Sequence, residues 1–208
     1  MPDPSASPRA LVEWGIATAT APGEAESGDQ SLVAPYAAGV LMAVADGLGH
    51  GPDAAEAARR VIAALRAHAG ESVIGLLRHA HVAALGTRGC VLSMAVLERA
   101  DHTMTWIGVG NVAGVLLRAG SDAHPPVEYL LPRAGVVGFT LPTLRAVMMP
   151  LAAGDTLILA TDGVRPDFVP ARVGPEQPQR LAELLLARHR QGVDDALVLV
   201  ARVVGEGP

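Results

Sequence analysis

The sequence predicts an α+β fold of four layers, in which two antiparallel β-sheets pack face to face and helices cover their outer sides. Two observations carry this expectation. From residue 90 onward, the short β-type runs "CVLSMAVLE", "TMTWIGVG", "VAGVLLR", "VEYLL", "LRAVMM" and "DTLILAT" alternate with glycine, proline and aspartate turns. That is the texture of antiparallel sheets and not of alternating strand and helix. Helical spacing is confined to two adjacent segments before this run and one after it. Two sheets set back to back with helices outside bury all of these apolar faces at once.

The elements follow in order. Residues 1–8, "MPDPSASP", read as a loose leader, and residues 11–19 as a strand of β-branched, aromatic and small residues. The polar, acidic stretch "APGEAESGDQ" reads as a loop, after which a strand over 39–45 delivers Asp46. Pro52 suits a first helical turn, with Asp53 and Glu56 near its positive end. Ala58, Val61, Ile62 and Leu65 continue at helical spacing until Gly70. Ser72 can cap a second helix whose face is Val73, Leu76, Leu77, Ala80 and Ala84, ended by Gly86; the two helices are expected to pack together on one sheet. A third helix spans about 178–190, with Leu181, Leu184 and Leu185 on one stripe and Arg188, His189 and Arg190 in its last turn. "ALVLVARVV" then closes the chain as a buried strand, and 205–208 read as a frayed end. Trp14 and Trp106 are expected in the core, Asp155 in a turn before a strand, and Pro125 with Pro126 at a loop edge.

Composition excludes several chemistries. The 208 residues, half of them hydrophobic, suit a single domain over 1–208. The net charge is -5 and no basic run tracks a phosphate backbone, so no nucleic-acid partner is expected. All 16 basic residues are arginine, which removes Schiff-base, general-base and phosphate-loop lysines. The one cysteine, Cys90, has apolar neighbours and reads as a buried strand residue; a reducing compartment follows. No apolar run reaches the roughly 20 residues of a membrane span, and no basic start precedes an apolar core, so a cytoplasmic protein without a membrane partner is expected.

The acids that could do chemistry share one feature. Asp29 in "SGDQ", Asp46 in "AVADG", Asp162 in "LILATDG", and Asp194 with Asp195 in "GVDDALVLV" each lie beside an apolar strand end. An all-oxygen set gathered from strand ends suits the hard ions Mg²⁺ or Mn²⁺, and two such ions about 3.5 to 4 Å apart can share a carboxylate. Glycine after Asp46 and after Asp162 permits a tight turn and exposes a carbonyl. Any one of these Asp-Gly pairs, taken alone, reads as an ordinary turn; the four sites together read as a centre. His79 and His81, two apart on a helix, cannot share a face as a metal pair.

"ADGLGHGPDAAEAA", "GDTLILATDGV" and "DDALVLVAR", in this order and at these intervals, resemble the metal-dependent serine/threonine phosphatases of type 2C (the PPM family). More narrowly they resemble the bacterial branch that contains SpoIIE, RsbU and RsbX, over about residues 11–203. "GTRGCVLSMAVL", "WIGVGNVAGVLLR" and "GVVGF" are most similar to the RsbX type. The resemblance implies the PPM sandwich fold, two Mn²⁺ or Mg²⁺ ions, and hydrolysis by a hydroxide held between them. It implies phosphorylated STAS-domain proteins of a stressosome as partners. It implies Asp46 as the acid bridging both metals, the Gly47 carbonyl as a ligand, Asp162 as the second-metal acid and Asp194 as the C-terminal acid. Asp195 would support Asp194 or exchange roles with it, and Asp29 would hold metal-bound water.

Three positions depart from the family pattern. Leu48 stands where eukaryotic members have a histidine proposed as the acid for the leaving alkoxide, and His50 comes later, as a candidate for that role or as a loop cap. Asn111 falls where many relatives carry an aspartate for a third metal; as a neutral amide it is a weaker ligand, and a structural turn is its other reading. Arg88 is the candidate phosphate contact in place of the eukaryotic clamp, or a solvent-facing arginine. Two other functions stay open on sequence alone: a catalytically inactive module that binds a phosphoprotein, and a phosphatase of small phosphoesters.

Overall fold

Ten strands and three helices among the described residues sort into two sheets and two helical layers. The computed structural model describes residues 10–120, 123–170 and 174–205; the expected leader at 1–8 and most of the expected frayed end lie outside these. In chain order the elements are β1 (Val12–Ala19), β2 (Asp29–Pro35), β3 (Gly39–Gly47), α1 (Pro52–Ala67), α2 (Val73–Ala84), β4 (Cys90–Glu98), β5 (Thr103–Val109), β6 (Ala113–Leu117), β7 (Val127–Leu130), β8 (Val147–Pro150), β9 (Thr156–Ala160), α3 (Pro178–His189) and β10 (Ala196–Val203). A single 3-10 turn at Pro166–Phe168 precedes α3.

One sheet runs β1-β10-β9-β6-β7 and the other β2-β3-β4-β5-β8, with every neighbour antiparallel. The α1–α2 hairpin lies on the outer face of the second sheet, and α3 lies on β1 and β10 of the first. This is the four-layer sandwich expected from the sequence.

Side-chain alternation decides what each layer sees. Along β3, Val40, Met42 and Val44 face the other sheet while Leu41, Ala43 and Ala45 face the helices. Along β10, Leu197, Leu199 and Ala201 face between the sheets while Ala196, Val198 and Val200 face α3. β9 divides in the same way, with Leu157 and Leu159 inward and Ile158 and Ala160 towards α3. Continued past the apolar stretch, this period-two pattern assigns Asp46, Thr161 and Asp195 to the inner side at the mouth of the sandwich. Position in the strand, not local turn chemistry, aims these groups.

Four local expectations need correction. β2 begins at Asp29, inside the stretch expected to be a loop. It is an edge strand, polar at its start and ended by Pro35, so it carries little of the apolar signal that marks an interior strand. The strand expected over 144–149 is shorter, Val147–Pro150. Trp14 is 50% exposed, because β1 is an edge strand with a neighbour on one side only, whereas Trp106 in β5 is buried. On α3 the buried stripe is Leu181, Ala182, Leu185 and Leu186; Leu184 lies a third of a turn off it.

Asp155 does close the expected turn, through its N–H to the Ala152 carbonyl at 3.1 Å, but it is also a buried anchor. Its carboxylate accepts from Arg118 Nη1 at 2.8 Å and from the Ala119 and Ala152 N–H groups at 2.9 and 3.0 Å. Arg118 in turn donates from Nε to Glu128 at 2.6 Å. Removing one member leaves a largely buried guanidinium and two backbone donors short of a partner. Asp155→Ala should therefore lower unfolding stability by about 2–3 kcal/mol in a urea titration, with little change in the sandwich mouth at the opposite end of β9.

Candidate active site

Five aspartates and one threonine meet at that mouth. Asp29 opens β2 and lies directly across from Asp46, near the end of β3, in the β2–β3 register. Asp162 follows β9 by two residues, and Asp194 and Asp195 immediately precede β10. Asp46, Asp162 and Asp194 line one cleft of about 330 Å³ together with Asn111, Leu48 and Val91. No three of the carboxylates come within 4.8 Å of one another in the described residues, so they spread around the cleft and do not close on one point. None of the ion pairs among the described residues includes any of the five.

The burial of these groups is uneven. Asp195 is buried and both of its oxygens are taken, Oδ1 by the Ala21 N–H at 2.7 Å and Oδ2 by the Gly28 N–H at 2.8 Å. Its carboxylate fastens the acidic loop before β2. Asp194 stays on the cleft, and its Oδ1 accepts from the Asp195 N–H at 2.8 Å. Asp29 is buried and accepts from Thr161 Oγ1 at 2.7 Å; the same hydroxyl accepts from the Leu197 N–H at 2.8 Å. Thr161 therefore joins β9, β10 and β2 at one atom. Sequence reasoning passed over it, although it stands directly before Asp162 in "LATDG".

Asp162 is exposed in the cleft, where Asn111 Nδ2 donates to its Oδ2 at 2.8 Å and Gln191 Nε2 donates to its backbone carbonyl at 2.6 Å. Asn111 is thus more than a turn residue, since its amide orients a cleft carboxylate. His50 is turned away on the surface, its Nδ1 2.5 Å from Glu24 Oε1. Arg88 pairs with Asp53 of the first α1 turn at 2.9 Å. Neither side chain lines the cleft.

The glycines after the acids have a further reason. A Cβ on Gly47 would lie 2.0 Å from the carbonyl oxygen of Ala54, and one on Gly163 would lie 1.8 Å from that of Asp195. Gly47 is still within β3, so there close approach of α1, not a turn, requires glycine. Gly163 does sit in a turn, closed by the Val164 N–H to Thr161 O at 3.1 Å.

Among the described residues, burial without a counter-charge sets the electrostatics. The Asp46 carboxyl is pushed up from 3.8 to about 8, first by burial and then by Asp29, Asp162, Asp194 and Asp195. Asp29 is pushed up to about 7 by burial, against the opposing effect of the Thr161 hydrogen bond. Burial also pushes the Cys90 thiol up to about 12, which makes it an inert core group. An all-oxygen donor set this short of positive charge fits a hard divalent cation.

Known proteins share this fold. Residues 37–206 match the family model of stage II sporulation protein E (SpoIIE). A search among curated protein sequences gives no match. Among solved structures, the chain is similar to one from work on "the bacterial stressosome: a modular system that has been adapted to control secondary messenger signaling", at 28% identity and a TM-score of 0.85 over 92% of this chain and 99% of that one. It is similar to RsbX in complex with magnesium, at 22% identity and a TM-score of 0.80 over 92% and 95%. It is also similar to the Mycobacterium tuberculosis serine/threonine phosphatase PstP/Ppp, at 18% identity and a TM-score of 0.70 over 93% and 99%.

The raised carboxyls make the metal-free protein sensitive to pH. Both groups hold their protons more tightly folded than unfolded, so the stability they contribute is fully present below about pH 4 and is lost as pH rises through about 7 and 8. In EDTA, the melting temperature of the wild type should fall relative to that of Asp46→Asn between about pH 5 and 9. Mg²⁺ or Mn²⁺ should restore the wild type and not the variant. Parallel melting curves for the two proteins at every pH would contradict this account of the cleft. The chain belongs to the SpoIIE family and is a protein phosphatase of the PPM type.

Proposed function

We propose that this chain hydrolyses phosphoserine or phosphothreonine esters on STAS-domain proteins of a stressosome, with two Mn²⁺ or Mg²⁺ ions in the carboxylate cleft. The reading rests on one observation: three carboxylates from the ends of both sheets line a single cleft, and no cationic side chain pairs with them among the described residues. The similarity to RsbX with magnesium, and to a chain from work on the bacterial stressosome, supports the metal and the partner class.

In this reading Asp46, Asp162, Asp194 and the Gly47 carbonyl would hold the ions, with Asp46 common to both. Bound there, two divalent ions supply a water acidic enough to ionise near neutral pH and neutralise charge on the phosphoryl group. Asp195, with both oxygens engaged by backbone N–H groups, keeps the loop before β2 against the site. Asp29, held by Thr161, is the acid for outer water. The Asn111 amide occupies one oxygen of Asp162 and so limits how that carboxylate can bind. A surface-paired His50 is poorly disposed to protonate a leaving group, so the leaving alkoxide takes its proton from water.

A phosphorylated STAS-domain protein and p-nitrophenyl phosphate, each assayed with Mn²⁺ and with EDTA, test the proposal. Turnover of both should need the metal, and Asp46→Asn should lower kcat by roughly a thousandfold. A kcat/KM for the phosphoprotein well above that for the small ester supports the protein substrate; the reverse order assigns the site to small phosphoesters. Tight binding of the phosphoprotein without metal-dependent turnover would leave only a binding module.

A further inference from the structure

A second group of ligating side chains lies outside the cleft, at the turn between α1 and α2. α1 ends at its C-cap residue His68, Gly70 reverses the chain with φ +101° against the ring of Tyr36, and Ser72 caps α2 by accepting from the Gly75 N–H at 3.2 Å. The hairpin brings His79, in the middle of α2, beside His68 and Glu71. His68 Nδ1 is 2.9 Å from Glu71 Oε1, and His79 Nε2 is 3.1 Å from Glu71 Oε2. The two imidazoles stack with centroids 3.6 Å apart and planes 5° from parallel. One ligand atom from each residue lies within 4.8 Å of the others, and this is the only such trio among the described residues. His79 thus finds its partner across the turn and not in His81, which accepts from the Gly138 N–H at 3.0 Å.

The donor types suit a metal. The hydrogen bond from His68, and then the nearness of His79, hold the Glu71 carboxyl below its ordinary value of 4.5, so it is an anion at neutral pH. Two imidazole nitrogens and one carboxylate oxygen are the donor types of zinc sites with an open fourth position. They differ in kind from the all-oxygen cleft, which suits harder ions. Parallel rings do not aim both lone pairs at one ion, so binding requires at least one ring to swing. With side chains 38% and 40% exposed, His68 and His79 are free to do so.

We propose that His68, Glu71 and His79 form a Zn²⁺ site that clamps the α1–α2 hairpin, separate from the carboxylate cleft. The proposal does not depend on the reaction the cleft performs. The test is Zn²⁺ binding by the full chain in saturating Mg²⁺, read by competition with a chromogenic chelator, together with zinc K-edge X-ray absorption at one equivalent. The wild type and Asp46→Asn should each bind one Zn²⁺. His68→Ala, His79→Ala and Glu71→Gln should each weaken it at least tenfold, and Zn²⁺ should raise the melting temperature of the wild type by several degrees but not that of the histidine variants. The absorption spectrum, which needs no variant, should show the multiple scattering of two imidazoles. A carboxylate-only shell, equal Zn²⁺ affinity in the histidine variants, or loss of binding in Asp46→Asn alone would overturn the proposal.

Discussion

Carboxylate charge held at the joint mouth of two sheets, with no basic side chain among the described residues paired with it, is the constraint from which the rest follows. In a soluble protein a buried acid normally has a cationic partner or stays protonated. Here Asp46 and Asp29 sit directly across from one another in adjacent strands, and Asp162, Asp194 and Asp195 raise the charge further. Such an arrangement can be fully charged only if something positive joins it. The fold supports that demand with rigid parts: Thr161 and Asp195 tie the last strands of one sheet to the first strand of the other through side-chain hydrogen bonds of 2.7 to 2.8 Å.

The same constraint divides the acids by task. Asp195 accepts from a backbone N–H group at each oxygen and so holds the loop before β2. Asp46, Asp162 and Asp194 open to the cleft instead. An asparagine against Asp162 continues the pattern, since it donates a hydrogen bond without adding charge to a cleft already crowded with it. Close approach of α1 at Gly47, and of the Asp195 backbone at Gly163, then fixes where the strand ends lie.

Much of this was legible in the sequence, and the limits have physical causes. The helices were readable because each has one polar face, so apolar residues recur every three or four positions. The layered sandwich followed from strand texture after residue 90. Which way Asp46 points was not readable, because β3 is covered by helices on one side and a sheet on the other and is apolar throughout. A strand buried on both faces loses the alternation that would reveal its orientation. β2 was missed for the opposite reason: as an edge strand starting with Asp29, Gln30 and Ser31 it looks like the loop before it. The His68–Glu71–His79 group was hidden because its members meet only when a hairpin closes.

The central claim is that divalent cations gather at Asp46. Anomalous diffraction from crystals grown with Mn²⁺ tests it most directly, because manganese can be located independently of the protein atoms. Two anomalous peaks in the cleft lined by Asp46, Asp162 and Asp194, both within coordination distance of Asp46, are the predicted result. A cleft without manganese at saturating concentration, or manganese that leaves Asp46 uncoordinated, would contradict the account.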